Sequence, residues 1–141
     1  MSQDENRAEG FTAFQKNTLP DAMGLAWDEV RSGLVRGRFT VERRHMAPNG
    51  FVHAAAVVAL TDSACGYGCV ASLPEGATSF TTIELKSNFL GTAKQGQTVV
   101  CEARLVHGGR MTQVWDAEAK NAETGKSMAL FRCTQMILYP R

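Results

Sequence analysis

The segment that decides the fold is residues 53–73, HAAAVVALTDSACGYGCVASL. After His53, Asp62 is the one charged side chain in it. The segment is longer than a typical strand, and its alanine content favours a helix. Pro74 and Gly76 follow and predict where the helix ends. The sequence therefore predicts one long buried helix that carries a single carboxylate.

The regions around this helix alternate apolar and polar residues, which is the pattern of strands with one solvent-exposed face. The alternation occupies residues 33–41 before the helix and residues 81–89, 99–105 and 115–120 after it, and a last strand-like run follows at residues 128–139. Short turns join the later runs, which favours antiparallel neighbours. The last run is apolar on both parities, so both of its faces need cover. This order predicts an α+β fold in which one antiparallel sheet curves around one helix.

A chain of 141 residues with 44% hydrophobic and 21% charged residues has the size and composition of one globular domain. Within it we predict an N-terminal arm at residues 1–30, with a short helix near residues 11–16, and the folded domain at residues 31–141. A sheet of this size has two edges with unpaired backbone groups and a second face that needs cover, so we expect the chain to form oligomers.

The formal net charge of +1 gives no general attraction to nucleic acid or to an anionic membrane. Residues 1–20 contain no apolar block of a secretory signal. The longest apolar run, residues 54–60, is far shorter than the roughly 20 residues that span a bilayer. We therefore expect a cytoplasmic protein with no nucleic-acid partner and no membrane partner.

The four cysteines give no sign of a metal site. They contain no CxxC pair and no other spacing typical of metal ligands, and they are Cys65, Cys69, Cys101 and Cys133. We predict that they are small buried hydrophobic residues in a reducing compartment.

Two segments carry a family resemblance. NGFVHAAAVVALTDSACGYG, at residues 49–68, and FTTIELKSNFLGTAKQG, at residues 80–96, resemble the hotdog-fold thioesterases of the PaaI type, also called the acyl-CoA thioesterase 13-like group. The likeness runs from about residue 31 to the C-terminus. It implies a central helix wrapped by an antiparallel sheet, homodimers that pair their sheet edges, and dimers of dimers. It also implies hydrolysis of acyl-CoA thioesters with no metal and no cofactor.

In that family a His-Gly-Gly motif opens the central helix, and a carboxylate nine residues after the His does the chemistry. The resemblance therefore implies catalytic roles for His53 and Asp62, while Ala54 and Ala55 replace the two glycines. The family often has an Asn about six residues before the His, and Ala47 occupies that position here. The resemblance implies that Asn49 does the same work after a loop shift.

Thioester hydrolysis requires a group that activates water or attacks the carbonyl, and donors that hold the negative charge on its oxygen. Asp62 fits the first role, as a general base or as a nucleophile that forms an anhydride. A carboxylate is costly to bury unpaired, so this position indicates a cleft or a compensating partner. A solvated or backbone-bonded Asp62 is the alternative. The unpaired N–H groups of Ala54 or Ala55 at the helix start fit the second role.

Nine residues of helix separate His53 from Asp62 by roughly 13 Å, which is too far for both to touch one thioester carbon. We therefore predict that two chains build each site. If their helices run antiparallel side by side, Asp62 of one chain faces the helix N-terminus of the other. His53 either caps the helix or orients substrate.

Four further residues are candidates for the site, and each has a structural role as its alternative. Asn49 precedes Gly50, so it either forms a turn or holds water or substrate. Thr82 is matched to a Ser or Thr of the family, and it either points to a polar face or bonds the carboxylate or water. Coenzyme A carries phosphates, so Lys86 and Arg110 are candidate substrate-binding cations, with solvated surface positions as the alternative.

Two other functions stay open at this point. A hotdog hydratase or dehydratase would pair a His with a carboxylate on one substrate. A non-hydrolytic acyl-CoA-binding regulatory protein is favoured by the two altered glycines. A thiol-release assay with Asp62→Asn beside the wild type separates these functions from a thioesterase.

Overall fold

Residues 5–141 are described in the structure of the protein, a computed structural model. They form three α-helices and six strands in the order α1 (Ala8–Phe14), α2 (Leu19–Ala22), β1 (Ala26–Arg31), β2 (Leu34–Thr40), α3 (Ala54–Ala71), β3 (Ser79–Phe89), β4 (Thr98–Gly108), β5 (Thr112–Asn121) and β6 (Ser127–Leu138). The strands form one antiparallel sheet in the order β1-β2-β4-β5-β6-β3, and α3 packs against one face of it. The predicted α+β architecture is confirmed.

Helix α3 spans the segment that the sequence singled out. Leu60 and Ala64 lie on its buried stripe against the sheet. Gly68 lets the sheet approach closely, because a Cβ atom there would lie 2.5 Å from the ring of Trp115. By length and composition alone the helix could also cross a bilayer, but half of it is buried inside the protein, as in a core helix.

The sequence predicts five strands, and the structure contains a sixth. Residues 26–30, which the sequence assigns to the N-terminal arm, form most of β1 and pair with β2. The pattern of β1 is concealed in the sequence for two reasons. Charged residues occupy half of the strand, and a bulge between Trp27 and Glu29 shifts its register.

The N-terminal arm packs onto the domain. Helix α1 contacts β1, and the rings of Phe11 and Tyr67 lie 4.7 Å apart between centroids. The Oε1 atom of Gln15 accepts hydrogen bonds from Trp27 Nε1 at 2.8 Å and from the Tyr67 hydroxyl at 2.9 Å. The arm is therefore tied both to the sheet and to α3.

Strand β3 forms one edge of the sheet, and a bulge at Ile83 divides it. Residues directly opposite each other in antiparallel strands share a face. Thr82 lies opposite the buried Gln135, whereas Glu84 lies opposite Thr134 on the outer face. An unbroken alternation through residues 81–89 would put Thr82 on the same polar face as Glu84. That expectation is wrong, because the bulge shifts the alternation by one residue.

The helix-facing side of β3 is apolar and open. Leu85 and Phe89 lie opposite buried residues of β6, yet they are 44% and 46% exposed. Ile83, at the bulge, is 54% exposed. Large apolar side chains beside an unpaired strand edge form the kind of surface that a partner chain covers.

The outer face of the sheet is charged. Arg36 pairs with Glu102 at 2.9 Å, and Arg132 pairs with Asp116 at 2.5 Å. Lys86 lies directly opposite Arg132 and therefore belongs to this face. These residues line a concave groove of about 710 Å³.

Candidate active site

Asp62 lies in the third turn of α3, and its environment is unusual for a carboxylate. Its Oδ1 atom is buried and has no hydrogen-bond partner among residues 5–141. Burial raises the pKa of the carboxyl group above its ordinary value of 3.8. A buried carboxylate oxygen without a partner costs free energy. Its position therefore indicates that a ligand or a second chain completes the site.

The stripe of α3 that carries Asp62 faces β3. Gly66 lies one turn later on the same stripe, and a Cβ atom there would lie 3.0 Å from the ring of Phe80 in β3. At the other end of the helix, Ala54 and Phe89 line one cleft. The helix therefore runs antiparallel to β3, and Asp62 lies between these two contacts, beside the open edge.

His53 is the N-cap of α3. Its Nδ1 atom accepts a hydrogen bond from the Ala55 N–H at 2.9 Å. In the neutral ring the proton therefore lies on Nε2, which makes no hydrogen bond with residues 5–141, and the His53 residue is exposed. The capping role, one of the two that the sequence left open, is observed.

Two backbone donors in the first turn of α3 are already bonded within the chain. The Ala55 N–H bonds the His53 side chain, and the Ala56 N–H bonds the His53 carbonyl oxygen at 2.9 Å. The Ala54 N–H makes no hydrogen bond with any described residue, and Ala54 is exposed. Of the two donors proposed from the sequence, Ala54 is the one that is available.

A small apolar cleft adjoins this donor. It has a volume of about 300 Å³, and Ala54, Val57, Phe89 and Met128 are among its lining residues. The cleft lies between the start of α3 and the end of β3. An apolar part of a ligand bound at the Ala54 N–H has space there.

One chain does not bring Asp62 and the helix start together. Eight residues of continuous helix separate Ala54 from Asp62, which corresponds to roughly 12 Å. A single thioester carbon cannot touch both groups of one chain. The two-chain geometry expected from the sequence stays a prediction.

The remaining candidates occupy four different positions in the fold. Asn49 accepts a hydrogen bond from the Phe51 N–H at 3.3 Å, next to Gly50 with its φ of 89°, so Asn49 belongs to a tight turn. Arg110 lies in the β4–β5 hairpin with its guanidinium 5.3 Å from the ring centroid of Tyr139, whose hydroxyl donates to the Arg110 carbonyl oxygen. Lys86 projects from the opposite face of the sheet. Thr82 lies on the helix-facing side.

Two polar groups on the helix-facing side of the sheet were not singled out from the sequence. Ser87 and Gln135 have buried side-chain atoms with no hydrogen-bond partner among residues 5–141. A signal existed for Gln135. It shares its parity with Phe131, Cys133 and Ile137, so it is the polar member of an apolar strand face.

The four cysteines are buried and free, as predicted. Burial raises the pKa of Cys69 and of Cys101 to about 12. A hydrogen bond to Cys133, together with burial, raises the pKa of Cys65. Neutral thiols of this kind are poor nucleophiles.

The family model of the Thioesterase superfamily matches residues 49–128 of the chain. The chain belongs to the thioesterase superfamily. The protein is therefore an enzyme that hydrolyses thioesters. The candidate residues proposed from the sequence, from Asn49 to Arg110, all lie within the matched range.

This thioesterase is similar to several known proteins. The 1,4-dihydroxy-2-naphthoyl-CoA hydrolase of Listeria monocytogenes is 28% identical over 116 residues, 82% of this chain and 92% of that protein. The acyl-coenzyme A thioesterase PaaI of Escherichia coli is 26% identical over 119 residues, 84% of this chain and 81% of that protein. The crystal structure of a mutant of thioesterase PA1618 from Pseudomonas aeruginosa is 27% identical, with a TM-score of 0.86 and 93% of each chain covered. The predicted PaaI-type hotdog fold is confirmed.

Proposed function

We propose that this thioesterase hydrolyses acyl-CoA thioesters to a free acid and coenzyme A. The observation that carries the proposal is the Asp62 carboxylate, on the stripe of α3 that faces the open edge. Its Oδ1 atom is buried and has no hydrogen-bond partner among residues 5–141. The two relatives described above are named for the hydrolysis of CoA thioesters, which supports the same substrate class here.

The proposed enzyme is a homodimer joined at β3. Antiparallel pairing of two β3 edges would satisfy their free backbone groups and would cover Ile83, Leu85 and Phe89. Because β3 and α3 run antiparallel within each chain, the same two-fold pairing places the two α3 helices side by side in opposite directions. Asp62 of one protomer then faces the helix N-terminus of its partner.

In this arrangement the Ala54 N–H of one protomer donates to the carbonyl oxygen of the thioester. The helix dipole reinforces this donor as negative charge develops on the oxygen. The exposed Nε2–H of His53 is a second donor next to the same helix start. Backbone donors serve with alanine as well as with glycine, so the Ala54 and Ala55 pair retains the charge stabilisation.

Asp62 of the other protomer acts on the carbonyl carbon by one of two routes. As a general base, it takes a proton from water while the water oxygen attacks the carbonyl carbon. As a nucleophile, it attacks the carbon itself and forms an anhydride, which water then cleaves. In both routes the C–S bond breaks and the thiolate of coenzyme A departs with the electron pair. Thr82, on the helix-facing side of β3, is proposed to bond the attacking water.

Arg110 and Lys86 are proposed to bind the phosphates of coenzyme A. Arg110 is held in place by the ring of Tyr139, which lowers the entropy lost when it binds an anion. Lys86 stands on the edge strand, close to the proposed seam between protomers. An Arg110→Ala or Lys86→Ala variant should raise KM and leave kcat nearly unchanged, because neither side chain touches the reacting carbon.

The test is a thiol-release assay over short, medium, long and aromatic acyl-CoA substrates. Asp62→Asn keeps the shape of the side chain and removes its charge, and it should lower kcat by about a hundredfold or more. Glu84→Gln is the matched control, because Glu84 is an exposed carboxylate on the outer face of β3. Full activity in Asp62→Asn would refute the assignment of Asp62.

The same panel separates the other functions. Binding of acyl-CoA without thiol release by the wild type would support a regulatory binding protein. Hydration of an enoyl-CoA without thiol release would support a hydratase. Either result would contradict the proposed hydrolysis of acyl-CoA.

A further inference from the structure

His45 is a buried histidine whose ring is bonded on both sides. It ends the 3-10 helical turn Arg43–His45, in the loop between β2 and α3, and it is 1% exposed. Its Nδ1 atom accepts a hydrogen bond from the Glu42 N–H at 2.9 Å. The proton of the neutral ring therefore lies on Nε2, which donates to the Met23 carbonyl oxygen at 2.7 Å. The ring also packs against Phe39 of β2, with 4.5 Å between the ring centroids, so the side chain is held on three sides.

The main chain of His45 leads directly to the start of α3. The His45 carbonyl oxygen accepts a hydrogen bond from the His53 N–H at 2.8 Å. Met46 and Val52, the next residues of the loop, form an antiparallel bridge. His53 is the N-cap of α3, and the next residue, Ala54, carries the backbone donor proposed for the thioester oxygen. The position of His45 therefore fixes the residue that precedes this donor.

The N-terminal arm provides the other half of the connection. Met23, which accepts from the His45 ring, is the C-cap of α2. Arg44 donates a second hydrogen bond from the same loop, to the Ala22 carbonyl oxygen. The Arg44 bond is exposed to water, whereas the His45 ring is buried, and hydrogen bonds are stronger where water is excluded. The His45 ring is therefore the stronger tie between the arm and the loop.

We propose that His45 is a positioning residue for thioester hydrolysis, because it holds the Ala54 N–H in place by tying the start of α3 to the N-terminal arm. The inference rests on the proposed function, which makes that N–H the donor to the thioester oxygen. Such a donor acts only when it lies within hydrogen-bond distance of the oxygen that becomes charged. A misplacement of about 1 Å, caused by a change far from the chemistry, can lower a rate about a hundredfold. His45 is buried and acts through the main chain, so it is not itself a catalytic residue.

Three substitutions separate the two hydrogen bonds of the ring from its packing. The Oδ1 atom of asparagine is as many bonds from Cα as the Nδ1 atom of histidine, so His45→Asn can keep the bond to the Glu42 N–H and loses the bond to Met23. The Nε2 atom of glutamine is as many bonds from Cα as the Nε2 atom of histidine, so His45→Gln can keep the bond to Met23 and loses the other. His45→Phe keeps a ring against Phe39 and loses both bonds.

The test is the kinetics of thiol release from the acyl-CoA panel, at a temperature at which circular dichroism shows every variant folded. His45→Phe should lower kcat by about tenfold or more and leave KM within about twofold, because the donor acts on charge that develops in the transition state. His45→Asn or His45→Gln should recover part of this loss. A kcat of His45→Phe within about twofold of the wild type would overturn the proposal, and so would the absence of recovery in both amide variants. If His45→Phe does not fold, His45→Gln is judged by the same twofold criterion.

Gln15→Met is the matched control in the same arm. Gln15 is 3% exposed, and its side chain donates to the Leu25 carbonyl oxygen and accepts from Trp27 and Tyr67. The variant removes buried hydrogen bonds from the arm, and none of them reaches the loop between β2 and α3. Gln15→Met should lower the free energy of unfolding in urea, as His45→Phe does, and should keep the wild-type kcat. Equal losses of kcat in two variants of similar stability would show that the rate follows stability, and would overturn the role of His45.

Hydrogen exchange distinguishes a failure of this inference from a failure of the proposed function. The Ala55 N–H bonds the His53 side chain and the His53 N–H bonds the His45 carbonyl oxygen, so both amides report on the start of α3. NMR should find that both exchange about tenfold faster in His45→Phe, because lost hydrogen bonds favour local opening, and at the wild-type rate in Gln15→Met. Faster exchange in a protein that releases no thiol would refute the proposed function and leave the tie between His45 and the helix start in place. Unchanged exchange, with thiol release by the wild type intact, would leave the proposed function standing and would overturn the role of His45.

Discussion

The Nδ1 atom of His53 accepts a hydrogen bond from the Ala55 N–H at 2.9 Å, and this bond defines the start of α3. This bond occupies the Ala55 N–H, so that group cannot bind a substrate. The Ala54 N–H makes no hydrogen bond with residues 5–141 and is the backbone donor proposed for the substrate. One side chain thus organises the helix end and selects the donor that is proposed to hold the thioester oxygen.

His53→Ala should lower the free energy of unfolding by about 1 kcal/mol, because it removes the side-chain acceptor at the N-cap. His53→Asn should retain most of the stability, since asparagine is a favourable N-cap residue. Urea unfolding of both variants beside the wild type measures the difference. Equal losses in the two variants would mean that capping is not the structural role of His53.

Asp62→Asn should raise the free energy of unfolding near neutral pH while it lowers kcat for thiol release by about a hundredfold or more. Burial raises the pKa of Asp62 above 3.8, so the folded protein binds this proton more tightly than the unfolded chain. The stability linked to Asp62 is present below 3.8 and is lost as the pH rises through the raised pKa. Asparagine does not ionise, so Asp62→Asn does not lose this stability as the pH rises.

Unfolding of Asp62→Asn and of the wild type at acid and at neutral pH checks this sign. The free energies of unfolding of the two proteins should differ little below pH 3.8 and should diverge above the raised pKa of Asp62. A variant that is less stable than the wild type at neutral pH would show that the folded protein holds the charged form of Asp62 favourably.

Gly68→Ala should destabilise the protein by about 1–3 kcal/mol, because the added methyl group would overpack the contact between α3 and the sheet. The new Cβ atom would lie 2.5 Å from the ring of Trp115, which is fully buried. Gly10→Ala is the matched control in α1, where nothing lies within 4 Å of the added atom. That variant should gain about 0.5–1 kcal/mol from helix propensity. Thermal unfolding that ranks the two variants equally would contradict the close approach at Gly68.

Leu85→Lys should prevent dimer formation and with it thiol release. Leu85 is 44% exposed on the helix-facing side of β3, so a lysine can be solvated in the monomer but not in the proposed seam. Leu130→Lys is the control, because Leu130 is 49% exposed on the outer face of β6. Sedimentation analysis should find a folded monomer for Leu85→Lys and a dimer for Leu130→Lys. An active Leu85→Lys dimer would rule out the β3 seam.

The sequence was least informative where pairing between distant strands decides the local structure. The bulge at Ile83 moves Thr82 to the helix-facing side, and alternation along one strand cannot reveal a residue that the partner strand skips. Strand β1 was missed for a related reason, because its bulge and its charges hide the period of two. The amide of Gln135, which is unpaired among residues 5–141, can be recognised only when β3, β5 and α3 are in place around it.

The sequence by itself determined the long helix, the single carboxylate within it and the antiparallel strands that follow. These features depend on composition and on periodicity over short stretches, where each residue acts mainly through its near neighbours. The tertiary structure alone decided that β3 is an edge, that Asp62 faces it with an oxygen unpaired by any of residues 5–141, and that Lys86 lies on the opposite face. These features depend on strand order and register, which are set by contacts between residues far apart in the chain.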